Sequence, residues 1–427
     1  MSDVAAMLAR RAARMGPNVP TFYRTPRHIV RGEGCWLWDA EGRRYLDAYN
    51  NVPHVGHCHP HVVEAICRQA ATLNTHTRYL HEAILDYLDR LTATLAPPLS
   101  AGIIVCTGSE ANDVALRMAQ AVTGRRGMIA TDWSYHGNTA LVSELSGRAP
   151  PVGGYGGFVR HVPAPDGLRP LGGAGGADFA EAWGRAVAAA IDDLAAGPHG
   201  FAGLIVCPFF ANEGFPTLPE GFLAPAVAAV RRAGGLVIAD EVQPGFGRLG
   251  SHFWGHQRAG IAPDIVTMGK SMGNGHPVAA VVTSPEILGA FRTAFRYFNT
   301  FGGNPVSMAA AHAVLDVMER EGLMARAAAT GAHARARFAA IAARHPRIAE
   351  VRGAGLFFGA EFVMADGAPD GDFCEAVVEG MLARGVILNR LGRGMNTLKI
   401  RPPLAFGAAE ADLLAEALAD TLAELDR

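Results

Sequence analysis

At 427 residues the chain is long enough for about two to three domains and too long to be a small stapled scaffold. A formal net charge of −2, with charged residues at 18 %, excludes the basic field that nucleic acid or an anionic membrane surface requires. The six cysteines (Cys35, Cys58, Cys67, Cys106, Cys207 and Cys374) include no Cys-x-x-Cys pair and read as free thiols of a reducing compartment. Met1 to Arg14 is expected to form a short amphipathic helix without the apolar core of a secretory signal. No stretch approaches the roughly 18 apolar residues of a membrane span, so a soluble cytoplasmic protein is the expectation. Residues 21–50 hold short β-like runs, and 35–42 has the pattern of a hairpin. From about residue 60, helical runs alternate with apolar runs at 103–106, 127–130, 203–207, 235–239, 264–268 and 278–283, the pattern of a mostly parallel sheet flanked by helices. The Gly/Pro-rich stretch 150–176 reads as a long surface loop, and its glycine run at 172–176 lacks the preceding strand of a dinucleotide fingerprint. Beyond Asn304, helical patterns reach about residue 321 and then run over 326–345. They precede β-like runs at 356–363 and 386–389, which together predict a smaller α+β domain.

Of the 38 basic residues only two are lysine, Lys270 and Lys399. Arginine stays protonated at any accessible pH, whereas a lysine amine can lose its proton and attack a carbonyl. The run 235–239 ends in Asp240 and Glu241, at the sheet mouth where open α/β folds bind ligands. The next run, 264–268, ends in Gly269-Lys270-Ser271, so two neighbouring strand ends would deliver an acid and an amine to one crevice. An amine beside an electron-poor ring, with an aspartate on the ring nitrogen, is what pyridoxal phosphate chemistry needs; the same two residues would equally form a plain ion pair. After the run ending at Cys106, the turn Thr107-Gly108-Ser109 leads into a helix whose N-terminus suits a phosphate; Ser109 or Asn112 acting only as a helix cap explains it too. Tyr135, next to His136 at the end of another strand, would either stack on a flat cofactor or pack into the core.

The ordered set NVPHVGHCHP (51–60), CTGSEAN (106–112), YHG (135–137), DEVQPGFGR (240–248), PDIVTMGKSMGNGHP (263–277) and NTFGGNP (299–305), followed by residues 352–355, resembles the class III, fold type I pyridoxal-phosphate enzymes, mostly ω-aminotransferases. The resemblance covers nearly the whole chain. It implies an α/β fold with a large domain over 59–305, a C-terminal small α+β domain over 306–427, and an N-terminal segment, 1–58, that joins the small domain. It implies pyridoxal 5'-phosphate as cofactor, an amine and a keto acid as substrates, and a homodimer with shared active sites. By the same resemblance Lys270 carries the Schiff base and shuttles protons, and Asp240 holds the pyridine nitrogen. Val242 and Tyr135 sandwich the ring, with His136 beside it, and Gln243 reaches the ring hydroxyl. Gly108 and Ser109 hold the phosphate, and Thr300 reaches the phosphate of the neighbouring subunit.

Two departures bear on the reaction. The family's Glu-Pro pair after the strand 203–207 is replaced by Cys207-Pro208, and Glu213 stands in for a second glutamate only with a one-residue shift. Lys399 fills the slot, three residues before Pro402, where relatives place a carboxylate-clamping arginine. The run LKIRPP (398–403) is most similar to the ethanolamine-phosphate and phosphohydroxylysine phospho-lyase branch. Because that branch also contains many aminotransferases, amino transfer is the first expectation. Elimination of phosphate or ammonia from an amino-phosphate or aminophosphonate is the alternative, with Lys399 and Glu213 as candidate substrate contacts. The histidine-rich run at 54–61 invites a metal reading, but no second ligand cluster follows and no metal is expected.

Overall fold

The computed structural model describes residues 4–173 and 175–427. The expected N-terminal helix spans Val4–Met15; Met1 to Asp3, and Ala174 in the glycine run, lie outside the described residues.

A seven-stranded sheet forms the centre, in the order Ala101–Val105, Ala279–Thr283, Ile265–Met268, Leu236–Asp240, Phe201–Val206, Gly127–Thr131, Val159–Val162. Ala279–Thr283 runs antiparallel to both of its neighbours and every other pairing is parallel. The inner strands are mostly apolar and almost wholly buried because helices cover both faces, among them Gly108–Thr123, Gly176–Ala196 and Ala224–Arg232. One expectation needs correction. The stretch 150–176 is not all loop, since Val159–Val162 pairs in parallel with Gly127–Thr131 as the sheet's edge. With only four residues, two of them the polar Arg160 and His161, it carries no apolar run of the kind that marks the inner strands.

The hairpin signal at 35–42 corresponds to Trp36–Asp39 pairing with Arg44–Asp47, in a sheet that also contains Ile29–Glu33. That sheet is completed from the far end of the chain, where Val386–Ile387 lies parallel to Arg44–Asp47. An antiparallel sheet follows the order Ile348–Ala354, Phe357–Phe362, Thr397–Lys399, Asn389–Leu391, and the helices Leu323–Ala342, Gly371–Ala383 and Ala408–Leu425 pack in the same region. The largest apolar cluster runs without a break from Leu46 and Val62 through Met268 and Val314 to Phe358 and Leu418, so sheets from both ends of the chain share a core with the central one.

Arg248 fastens these parts at one point. It is fully buried, and its guanidinium forms no ion pair with a carboxylate among the described residues. Nη1 donates to the carbonyls of Leu356 (3.2 Å) and Pro402 (2.6 Å), and Nη2 to Nδ1 of His54 (3.1 Å). The other nitrogen of His54 lies 2.8 Å from the Phe246 carbonyl, so Nε2 carries the proton and Nδ1 accepts. Burial, and then the nearby Arg401, pull the Arg248 pKa down to about 9. The Arg248 carbonyl in turn accepts from Leu356 N at 3.0 Å, next to the Gly355 turn. Gly331 presses on the other side of that turn, and a Cβ there would collide with the Gly355 carbonyl. In a free helix, Gly→Ala gains about 0.5–1 kcal/mol. Here overpacking against backbone costs about 1–3 kcal/mol, so Gly331→Ala is expected to lower the thermal and urea midpoints; a raised midpoint would show that the helix does not bear on this turn.

Candidate active site

Five strand ends meet at one mouth of the central sheet. Asp240 pairs in register with Thr267 on the adjacent parallel strand, so Asp240 and Lys270 leave neighbouring strands at the same level. Ala101–Val105 leads to the helix beginning at Gly108, Gly127–Thr131 to Tyr135 and His136, and Phe201–Val206 to Cys207. Because Ala279–Thr283 is antiparallel, His276, Pro277 and Val278 enter the mouth ahead of it. A cavity of about 270 Å³ lies among these ends. Eight residues singled out from the sequence line it together: Gly108, Ser109, Tyr135, His136, Asp240, Val242, Gln243 and Lys270.

Lys270 is half-buried and sits at φ +25°, a strained backbone value for a residue with a side chain. Burial is the main cause that lowers its amine pKa to about 8; Arg401 acts in the same direction and Asp240 opposes it. No ion pair joins Lys270 to Asp240 among the described residues, so the two are not a plain strand-end salt bridge. The Asp240 carboxylate is occupied otherwise. Oδ2 accepts from His136 Nδ1 (2.7 Å) and Asn112 Nδ2 (3.1 Å), and Oδ1 from Val242 N (3.0 Å).

The helix Gly108–Thr123 brings its N-terminus to the cavity, with Gly108 and Ser109 on the wall. The capping role considered for Ser109 or Asn112 belongs to Thr107, which forms a reciprocal capping box with Glu110. Ser109 Oγ instead bonds Asn138, and Asn112 turns inward to Asp240. Gly108 packs tightly against Val242: a Cβ there would sit 3.0 Å from Val242 Cγ2 and oblige it to give way.

Thr300, Glu213 and Lys399 do not line this cavity. Thr300 is exposed. Glu213 is buried and lines a second cavity, of about 400 Å³, where it bonds the Thr131 hydroxyl and Asn212 N (3.0 Å); burial raises its pKa. Lys399, 6 % exposed, stands one layer back, with Nζ 3.5 Å from Oδ1 of Asn212, a lining residue. Burial first, then Arg401, Lys270 and Arg148, push its pKa well below the usual lysine range.

Sequence reasoning missed Asn112 as a partner of Asp240, and it missed Asn212 and Arg401. Arg401 is buried, with Nη1 on Asn51 Oδ1 (2.7 Å) and Gln243 Oε1 (2.8 Å) and its guanidinium over Tyr49. A signal for it existed: Lys399 and Arg401 are two residues apart, which on an extended chain puts both side chains on one side. The histidines of 54–61 diverge to separate partners: His54 to Phe246 O and Arg248, His57 to Asp47, His59 to Glu321 and His61 to Asp316. No group of three or more His, Cys, Asp or Glu is placed to hold a metal among the described residues.

The cavity suits an aromatic ring bearing a phosphate. An acid sits at its floor and an amine of lowered pKa at its side. A valine is held tight against a glycine, a helix N-terminus opens into it, and the buried Nε2 of His136 has no partner among the described residues.

Comparison with known proteins agrees with this chemistry. The family model for aminotransferase class-III matches residues 20–422. A Drosophila melanogaster protein named alanine–glyoxylate aminotransferase 2-like is 40 % identical, over 94 % of this chain and 84 % of its own. A Caenorhabditis elegans ethanolamine-phosphate phospho-lyase homolog 1 is 35 % identical over 94 % and 89 %. Among solved structures, a phospholyase from Arthrobacter in complex with phosphoethanolamine superposes with a TM-score of 0.94 at 44 % identity, covering 98 % of this chain and 99 % of that one. A thermostable (S)-enantioselective ω-transaminase from Thermomicrobium roseum superposes at 0.87 with 28 % identity, over 100 % and 99 %. The chain therefore belongs to the class III aminotransferase family, with the fold of its type I members and a dependence on pyridoxal phosphate.

Proposed function

We propose that this enzyme acts on a small primary amine carrying a phosphate, and releases phosphate and ammonia. The observation that carries the reading is the buried cation pair Lys399 and Arg401, for which no ion pair to a carboxylate exists among the described residues. Unpaired buried cations are costly unless an anion arrives to meet them. Cys207 sharpens the effect. Its thiol pKa is raised well above the usual value, chiefly by burial, so it stays neutral where the family's glutamate would add negative charge. The Arthrobacter phospholyase at 44 % identity supports the reading. Amino transfer to a keto acid is the second reading, favoured by the name of the Drosophila relative.

When bound, pyridoxal phosphate supplies an electron sink for the pair released from Cα. The chain's own groups do the rest. Lys270 would be the attachment amine and would move the proton at Cα; Asp240, braced by His136 and Asn112, would hold the ring nitrogen. Val242 and Tyr135 would flank the ring, Gln243 would meet its hydroxyl, and Gly108, Ser109 and the helix N-terminus would hold the phosphate. Lys399 and Arg401, reached past Asn212 and Gln243, attract the substrate's anionic end. Taking up one water, an amino-phosphate then gives phosphate, ammonia and an aldehyde. We also propose a homodimer with Thr300 turned to the partner, a reading supported by the exposed apolar residues Tyr79, Leu80, Phe298 and Phe301. A cytoplasmic location fits the six free cysteines, while the Arabidopsis thaliana and human relatives carry "mitochondrial" in their names.

Phosphoethanolamine is expected to yield phosphate and ammonia with no keto acid present; turnover that starts only when pyruvate or glyoxylate is added would replace this reading with amino transfer. Lys399→Ala is expected to raise KM for the phosphorylated amine by about 10-fold or more, the worth of a charged hydrogen bond, with a smaller change in kcat. Because Lys399 loses its proton below the normal lysine range, the wild-type KM should climb as pH rises. For Lys270, only the neutral amine attacks the cofactor aldehyde. Capture of pyridoxal phosphate by the apoprotein should therefore accelerate with rising pH and level off above about 8, and Lys270→Ala should lose the cofactor's protein-linked visible band.

A further inference from the structure

Asn112 is fully buried, and so is Thr267, the register partner of Asp240 on the strand that leads to Lys270. The Thr267 hydroxyl donates to Asn112 Oδ1 at 2.6 Å. That bond decides which way the amide faces. With Oδ1 committed to Thr267, Nδ2 turns its two hydrogens to Asp240 Oδ2 (3.1 Å) and to the His136 carbonyl (2.6 Å). Every polar valence of the amide that the pocket needs is thereby used. Rotated by half a turn, Asn112 would set its own oxygen against a carboxylate and a carbonyl, acceptor against acceptor.

We propose that Thr267 and Asn112 form a positioning dyad that orients Asp240 toward the cofactor ring, with the Thr267 hydroxyl acting as the lock on the Asn112 amide. The dyad ties together four elements of the site. Asn112 belongs to the helix whose N-terminus faces the phosphate end, Asp240 and Thr267 to the two central strands, and His136, held at its carbonyl and at Nδ1, to the loop after the third. Asp240 therefore keeps its place relative to the phosphate-binding turn, and a ring anchored at one end meets the carboxylate at the other. The inference rests on Asp240 facing the ring nitrogen, as set out above.

The test uses the full-length protein in apo and cofactor-loaded form. Thr267→Val preserves volume, removes the hydroxyl and leaves a buried amide oxygen without its donor. Its dissociation constant for pyridoxal phosphate, read by absorbance titration of the apoprotein, is expected to rise about 10-fold. The pH response of the bound cofactor's visible band should shift with it, and Thr267→Ser, which restores the hydroxyl, should return both toward the wild type. Asn112→Asp, which sets a second carboxylate against Asp240, should weaken cofactor binding further. A merely structural role would lower the apoprotein's thermal midpoint and leave the affinity and the band's pH response unchanged; that result would overturn the proposal. Asp240→Asn serves as the control for the premise. If it leaves the band unaltered, Asp240 does not face the ring and the site reading falls; if it shifts the band while Thr267→Val does not, the dyad alone is refuted.

Discussion

The site depends on two neighbouring parallel strands, Leu236–Asp240 and Ile265–Met268, locked in register. Parallel strands end at the same side of a sheet, so whatever follows them is delivered to a common crevice. Asp240 closes one strand, and Lys270 stands just past the other. The antiparallel Ala279–Thr283 then separates this pair from Ala101–Val105 and brings residues 276–278 into the crevice from the opposite direction. A cavity open to a cofactor-sized ring results, with acid, amine and helix N-terminus on separate walls.

Charge is distributed around that cavity in an uneven way. Acid is concentrated at the floor, in Asp240, where three donors meet it. The opposite region holds Lys270, Lys399 and Arg401, with Arg248 behind them; Lys399, Arg401 and Arg248 bond to amides, carbonyls and imidazole, and none of the four is ion-paired to a carboxylate among the described residues. Removing cations from water without anions is unfavourable, and the lowered pKa values of Lys270, Lys399 and Arg248 record that cost. A neutral Cys207 in place of the family's glutamate leaves the field positive. On the proposed function, an anionic substrate would offset that cost on binding and so be selected by it.

The second structural theme is that the far end of the chain supplies two of these cations, Lys399 and Arg401. Lys399 lies at the end of Thr397–Lys399, in a sheet remote in sequence from the cofactor strands. Arg248, from the motif just after Asp240, reaches the Pro402 carbonyl and so fastens the segment carrying Lys399 and Arg401 to the loop that carries Val242 and Gln243. Arg401 N bonds the Ala48 carbonyl and Leu404 N the His54 carbonyl, adding the N-terminal segment to the same joint.

Much of this was legible from the chain alone. Inner strands announce themselves as apolar runs because they are buried on both faces, so their ends, and with them Asp240, Lys270, Gly108 and Tyr135, can be placed by counting. The ordered motifs added the cofactor and the family. Tertiary structure alone decided the rest. The edge strand Val159–Val162 is polar and short and declares itself only by pairing. Asn112 reads as an ordinary helix residue until the fold sets it against Asp240 and Thr267. Arg401 acquires a role only once Gln243 and Asn51, distant in sequence, come within hydrogen-bond reach. Periodicity is a local property that a sequence displays directly, whereas burial of a charge and the partner of an amide are set by contacts between segments hundreds of residues apart.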